Sequence, residues 1–150
     1  MRCGASLISP RFLATAYHCF YHNEDPKINF DNDCNIPGTC YAVIREHNTT
    51  KVEAGEKIIN IKLIHSPFGT HWNPLSTSGK SDLALAELEY PVKLDEKAQL
   101  VRVAEERLTV DSLVWSLGWG MTYKKTMTKV LHKVQLRVSK VQKEGRTYTD

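Results

Sequence analysis

Apolar residues recur in short runs separated by polar, turn-forming stretches. Near the start, Ala5-Ser6-Leu7-Ile8 and Phe12-Leu13-Ala14-Thr15 flank Ser9-Pro10-Arg11. A proline at the centre of so short a connection presets a turn, so these two runs predict a hairpin. Tyr41 to Ile44 predicts a short strand, and Ile58, Ile59, Ile61, Leu63 and Ile64 a denser, β-branched one. Leu83 to Leu88 predicts another, and Leu113-Val114-Trp115 leads into Ser116-Leu117-Gly118-Trp119-Gly120. Towards the end Val130, His132, Val134, Leu136 and Val138 fall on one side, and Leu131, Lys133, Gln135 and Arg137 on the other. That period of two predicts a half-buried strand.

Between the strands lie two long polar stretches, 21–40 and 66–80, rich in Asn, Asp, Pro, Gly, Ser and Thr. They predict surface loops. No segment holds a helical period, and no internal repeat or low-complexity tract occurs. Many short strands with frequent turns predict an all-β barrel or sandwich.

Composition narrows the class without naming a function. The chain has 150 residues, 41% hydrophobic and 25% charged, as expected for one soluble globular domain. No apolar run is long enough to cross a membrane as a helix. The first apolar stretch, Leu7 to Ala16, is interrupted by Pro10 and Arg11 and does not read as a secretory leader. The net charge of +3 is uneven: residues 121–150 carry eight Lys/Arg against two acids, and residues 1–120 carry twelve against fifteen. A basic end of this kind makes Lys124 to Arg146 a candidate polyanion contact, beside the simpler reading of a solvated strand face. Neither a membrane nor a nucleic-acid partner is expected.

Four cysteines, Cys3, Cys19, Cys34 and Cys40, suit two disulfides and therefore an oxidising compartment. Cys34 and Cys40 close the end of the first loop around Pro37-Gly38, and a Cys34–Cys40 link is expected. A zinc site built from Cys19, His22, Cys34 and Cys40 is disfavoured, because the paired ligand spacing such sites use is missing. No metal or other cofactor is expected. Asn48-Thr49-Thr50 fits the N-glycosylation acceptor pattern.

Two residues stand out chemically. His18 follows a strand and is followed at once by Cys19. If Cys19 pairs with Cys3, the segment bearing the imidazole is pinned by a closed loop worth roughly 3 kcal/mol in chain entropy. A fixed imidazole suits a general base. Asp82 enters an apolar run, where a carboxylate is costly unless a partner satisfies it. A histidine N–H would do so and would orient the ring.

The block from Cys3-Gly4-Ala5-Ser6-Leu7-Ile8 to Thr15-Ala16-Tyr17-His18-Cys19 resembles the "C-G-G-S-L-I … T-A-A-H-C" block of trypsin-like, chymotrypsin-fold serine proteases. Asp82-Leu83-Ala84-Leu85-Ala86-Glu87-Leu88 resembles that family's "D-I-A-L-L-x-L" block, and Gly118-Trp119-Gly120 its "G-W-G". The three blocks stand in the family's order. Val43-Ile44-Arg45-Glu46-His47-Asn48 and His65-Ser66-Pro67 also look like its landmarks. Tyr17, where the family usually has alanine, and Ala5, where glycine is common, depart from the pattern.

The resemblance implies an N-terminal Greek-key β-barrel over about residues 1–110, then a linker and the first strands of a second barrel over about 111–150. It implies catalytic roles for His18 and Asp82, a Cys3–Cys19 disulfide, secretion, and a peptide or protein substrate for the complete enzyme. The family's "G-D-S-G-G-P" block, which carries the nucleophile and oxyanion hole, does not occur in these residues. The expectation is thus a partial trypsin-like endopeptidase chain, inactive alone. The alternative is a non-catalytic homologue that uses the fold for binding or regulation.

Overall fold

A computed structural model describes residues 3–20, 39–65 and 82–141. The chain falls into two compact units, Met1–Val103 and Ala104–Asp150. Seven strands and one short 3-10 turn make up the regular structure of the described residues.

The first unit holds strands β1 (Ser6–Ser9), β2 (Phe12–Thr15), β3 (Tyr41–Ile44), β4 (Lys57–His65) and β5 (Ala84–Leu88). They form one antiparallel sheet in the order β1-β2-β5-β4-β3. Three consecutive strands, β3, β4 and β5, lie side by side, and β2 returns to lie beside β5. This is the Greek-key order. The hairpin expected at the start is present, although its turn is tighter than expected. Ser9 belongs to β1, and the register shifts between Leu7 and Ser9.

The sheet curls because β4 serves two partners. Its first half pairs with β3, Tyr41 opposite Asn60 and Ile44 opposite Lys57. Its second half pairs with β5, Ile61 opposite Leu88 and His65 opposite Leu85, with a register shift between Ile61 and Leu63. A bulge of this kind bends a strand and raises its twist. The result is an all-β half-barrel whose concave side holds the core: Leu13, Ile61, Ala86, Leu88, Val92 and Ala98. Leu7, Phe20, Ala42, Ile44, Ile59 and Ile64 pack around them.

The segment after β5 closes over that core. Val92 N–H donates to Pro10 C=O at 2.7 Å and Val101 N–H to Leu7 C=O at 2.8 Å. Strand β5 buries Ala84, Ala86 and Leu88. Glu87, between them, collects Arg11, Lys62 and His65 within 3.8, 3.4 and 3.3 Å. The hydrogen bond with His65, helped by Lys62 and Arg11, holds the Glu87 carboxyl below its ordinary value against partial desolvation.

The second unit contains the antiparallel pair β6 (Leu113–Gly118) and β7 (His132–Arg137), in register from Leu113–Arg137 to Gly118–His132. The period of two is real, but the expected burial is not. Every residue of β7 is exposed, including Val134 and Leu136. A two-stranded ribbon has no second layer of its own against which to bury a face. Trp115 is 55% exposed, and the Lys133 ammonium lies 5.0 Å from its ring centre. The 21–40 and 66–80 loops, apart from Thr39 and Cys40, lie outside the described residues, as does Cys34 of the expected Cys34–Cys40 link.

Candidate active site

Strand pairing builds the site. Strands β2 and β5 run antiparallel with Phe12 opposite Glu87 and Thr15 opposite Ala84. The chain therefore leaves β2 where it enters β5. The residues just after Thr15 are carried towards those just before Ala84. Tyr17–Phe20 turn as one 3-10 turn, closed by the Cys19 N–H on Ala16 C=O at 3.3 Å. A single turn is too short to show a helical period, so the apolar pattern gave no sign of it.

His18 and Asp82, 64 residues apart in sequence, meet at this junction. The His18 backbone N–H donates to Asp82 Oδ1 at 2.8 Å, and His18 Nδ1 lies 2.6 Å from Asp82 Oδ2. The Tyr17 N–H donates to the Asp82 backbone carbonyl at 3.4 Å. Desolvation of Asp82 disfavours its charge, but the hydrogen bonds from the His18 ring and backbone outweigh it and hold the carboxyl below its usual range. An ionised carboxylate only accepts hydrogen bonds. Nδ1 is therefore the donor, and in the neutral ring Nε2 keeps its lone pair. The side chains are 51% and 40% exposed, so the imidazole is open to solvent and to a reacting group. This arrangement can take a proton at Nε2 and stabilise the resulting imidazolium through Asp82.

Three further contacts hold the turn. Cys19 is joined to Cys3 by a disulfide. Thr15 Oγ1 donates to Gly4 C=O at 2.9 Å. The Tyr17 side chain is buried, only 2% exposed, which answers where the large ring goes that replaces the usual alanine. Sequence reasoning singled out Tyr17 only as a departure; its burial is what gives it a role as anchor.

Cys3, His18 and Cys19 place potential ligand atoms within 4.8 Å of one another, with Cys19 Sγ 3.8 Å from His18 Nε2. Two of the three are spent in the disulfide. A disulfide offers no thiolate, which is the form that binds metal, so this cluster does not make a metal centre.

Asn48 sits in the connection from β3 to β4, where its Oδ1 accepts from the Thr50 N–H at 3.1 Å and the Thr50 hydroxyl at 2.7 Å. Its pattern is thus folded into a turn held by its own threonine. Of the basic strip, Lys124 to Lys140 are described, and Lys143 and Arg146 lie outside the described residues. Arg137 reaches Asp111 at 3.8 Å. No helix among the described residues is long and apolar enough to cross a membrane.

The sequence model of the family described as Trypsin matches residues 1–150, the whole chain. Among curated proteins, the chain is 28% identical to chymotrypsin-like elastase family member 1 of Macaca fascicularis over 80% of its own length and 40% of the relative's. It is 27% identical to proproteinase E of Bos taurus over 81% of its length and 43% of the relative's. It is 23% identical to mannan-binding lectin serine protease 1 of Rattus norvegicus over 91% of its length and 19% of the relative's. The chain thus spans less than half the length of each. With a family match across every residue, a curled β-sheet of Greek-key order and a histidine paired to an aspartate at its strand ends, the chain belongs to the trypsin-like serine protease family.

Proposed function

We infer that His18 and Asp82 are the general base and its orienting carboxylate in a serine endopeptidase centre that hydrolyses peptide bonds of a peptide or protein substrate. The observation that carries this reading is the double contact of one carboxylate with one residue, Oδ1 on the His18 backbone N–H and Oδ2 on its ring. The backbone bond sets the position of the carboxylate, and the ring bond sets the tautomer. In the reaction, Nε2 takes the proton of a seryl hydroxyl as that oxygen attacks the scissile carbonyl. The same proton then passes to the leaving amine as the tetrahedral intermediate collapses, and a water repeats the cycle to release the acyl group.

The seryl nucleophile and its oxyanion donors have no counterpart motif within residues 1–150. These 150 residues alone are therefore proposed to be inactive, and the pair to be half of a centre. Loss of the nucleophile costs on the order of 10⁶ in turnover, and loss of one oxyanion donor about 10²–10³. The first barrel is read as ending near residue 110, with a linker and the start of a second barrel following. The Cys3–Cys19 disulfide supports an extracellular setting.

The test is turnover of a chromogenic peptide by purified 1–150 and by the same chain extended with a downstream serine-bearing barrel. The extended protein is expected to cleave and to lose activity on His18→Ala, while 1–150 is expected to give none. Activity in 1–150 that disappears with His18→Ala would overturn the half-centre reading. Full activity in the extended His18→Ala protein would overturn the assignment of His18.

A second reading, a non-catalytic homologue that binds polyanions, draws on the β6–β7 ribbon. By register, Leu113, Trp115 and Leu117 share a face with Arg137, Gln135 and Lys133, one exposed tryptophan and two exposed leucines beside two cations.

A further inference from the structure

Away from the His18–Asp82 junction, the first unit contains a cleft of about 310 Å³ between the β3–β4 hairpin and the segment that follows β5. Its walls are of two kinds. Ile44, Ile59 and Val92 give an aliphatic floor, continuous with the core of the half-barrel. Arg45, Lys57 and Lys93 bring three cations to its rim against one carboxylate, Asp95.

The cleft rests on a specific backbone arrangement. Arg45 is held in the left-handed region at φ 67°, where few side-chain-bearing residues sit. Its guanidinium spans the opening, ion-paired to Asp95 and donating to the Gly55 carbonyl at 3.3 Å. Gly55 makes room for it: at φ 92° it adopts a conformation that favours glycine, and a Cβ there would come within 3.1 Å of Arg45 Nη1. Backbone strain of this kind persists only where the surroundings over-determine it. Here it fixes one strut, Arg45 to Asp95, between the two walls. That strut consumes the only acid of the lining. The side chains of Lys57 and Lys93 have no ion pair or hydrogen bond among the described residues, so the rim keeps two uncompensated positive charges above an aliphatic floor.

We propose that this cleft binds a small organic anion, a carboxylate carried on a short aliphatic stem. The stem lies on Ile44, Ile59 and Val92, and the head pairs with Lys57 and Lys93. The size falls at the small end of ligand pockets, and the lining divides evenly between four apolar residues and four charged ones, which suits a ligand with one apolar and one charged end. Low-dielectric walls around like charges concentrate an anion of opposite sign. Two sources present this chemistry: a free aliphatic acid, and the C-terminal carboxylate of a peptide ending in an aliphatic residue.

The experiment is an NMR titration of the ¹⁵N-labelled chain with hexanoate, hexanol, inorganic sulfate and acetyl-leucine. Hexanoate is expected to shift the signals of Lys57, Ile59 and Lys93, and hexanol and sulfate at equal concentration to leave them in place. The Lys57→Gln/Lys93→Gln protein is expected to bind hexanoate about fivefold more weakly or worse, and Lys57→Arg/Lys93→Arg to retain it. Both lysines are exposed, so these exchanges leave the fold intact. Acetyl-leucine binding more tightly than hexanoate assigns the site to a peptide C-terminus, and the reverse order to a free acid. The proposal is overturned if hexanoate leaves these signals unmoved, if hexanol or sulfate matches it, or if the double glutamine variant binds it unchanged.

Discussion

Thr15 stands opposite Ala84 at the end of the β2–β5 ladder, and the geometry of the candidate site follows from that rung. Three residues beyond Thr15 is His18, and two before Ala84 is Asp82. A slip of one residue by either strand would turn that strand's side chains to the opposite face and part the imidazole from the carboxylate. The small buried residues Ala84 and Ala86 tie the register to the core, so packing inside the half-barrel sets distances at its mouth.

The first prediction concerns pH. Asp82 is held below its ordinary value of 3.8. A carboxyl depressed in the folded state adds stability that is present above its unfolded value and is lost as pH falls through the folded one. Asp82→Asn is expected to lower stability near neutral pH, by less than about 1 kcal/mol because the pair is partly exposed. The gap between the two proteins is expected to close as pH drops below 3.8. Thermal melts of both proteins from pH 7 to pH 2 measure it. A gap that widens on acidification would contradict the assigned direction.

The disulfide gives the second. Cys3 and Cys19 are separated by 16 positions, and replacing both by serine is expected to cost about 3 kcal/mol in the chain-entropy account. Urea unfolding reads the loss directly. In an extended, active protein the same change is expected to lower turnover more than substrate affinity, because it frees the base rather than the substrate contacts.

Tyr17 carries the third. Its ring is buried in the turn that carries His18, and Tyr17→Ala is expected to destabilise the first unit by about 3–5 kcal/mol, the range for emptying a large aromatic site. Equilibrium unfolding is the measurement. A cost below about 1 kcal/mol would show that the ring does not anchor the turn.

Gly55 supplies a fourth. Gly55→Ala puts a Cβ at positive φ and 3.1 Å from Arg45 Nη1, so a loss of about 1 kcal/mol or more is expected. The arginine can yield by moving its tip, at the expense of the contact with Asp95, and a crystal structure of the variant is expected to show that movement.

A fifth addresses the basic ribbon. Replacing Lys133 and Arg137 by alanine is expected to reduce retention on heparin, and added salt to abolish retention of the parent chain, since exposed charges are screened. Retention that ignores both changes would remove the polyanion reading.

How much of this was legible in the residues varies along the chain. Strand β2 was readable because Phe12-Leu13-Ala14-Thr15 is bounded by a proline turn and a histidine–cysteine pair. Strand β4 proved longer than its isoleucines suggested. Lys57 and His65 extend it at either end, where pairing with β3 and β5 rather than apolar pattern decides the boundary. The juxtaposition of residues 18 and 82 was not contained in any local pattern. It came from the family blocks, because contact over 64 positions depends on sheet order, which periodicity does not encode. The left-handed Arg45 was also invisible, since nothing in Ile44-Arg45-Glu46 marks it. The half-burial expected of the last strand failed because burial is a property of layers, and the β6–β7 ribbon has only one.

The inward residues of β5 are unequal, alanine at 84 and 86 and leucine at 88. Substitutions along this one strand therefore differ in what they disturb. Bulk added at 84, two positions from Asp82, overpacks a fully buried site and is expected to disturb the His18–Asp82 contact together with stability. Trimming at 88 empties the interior while leaving that pair in place. Random mutagenesis of the extended protein, scored separately for activity and for expression, is expected to find position 84 sensitive in both screens and position 88 chiefly in expression.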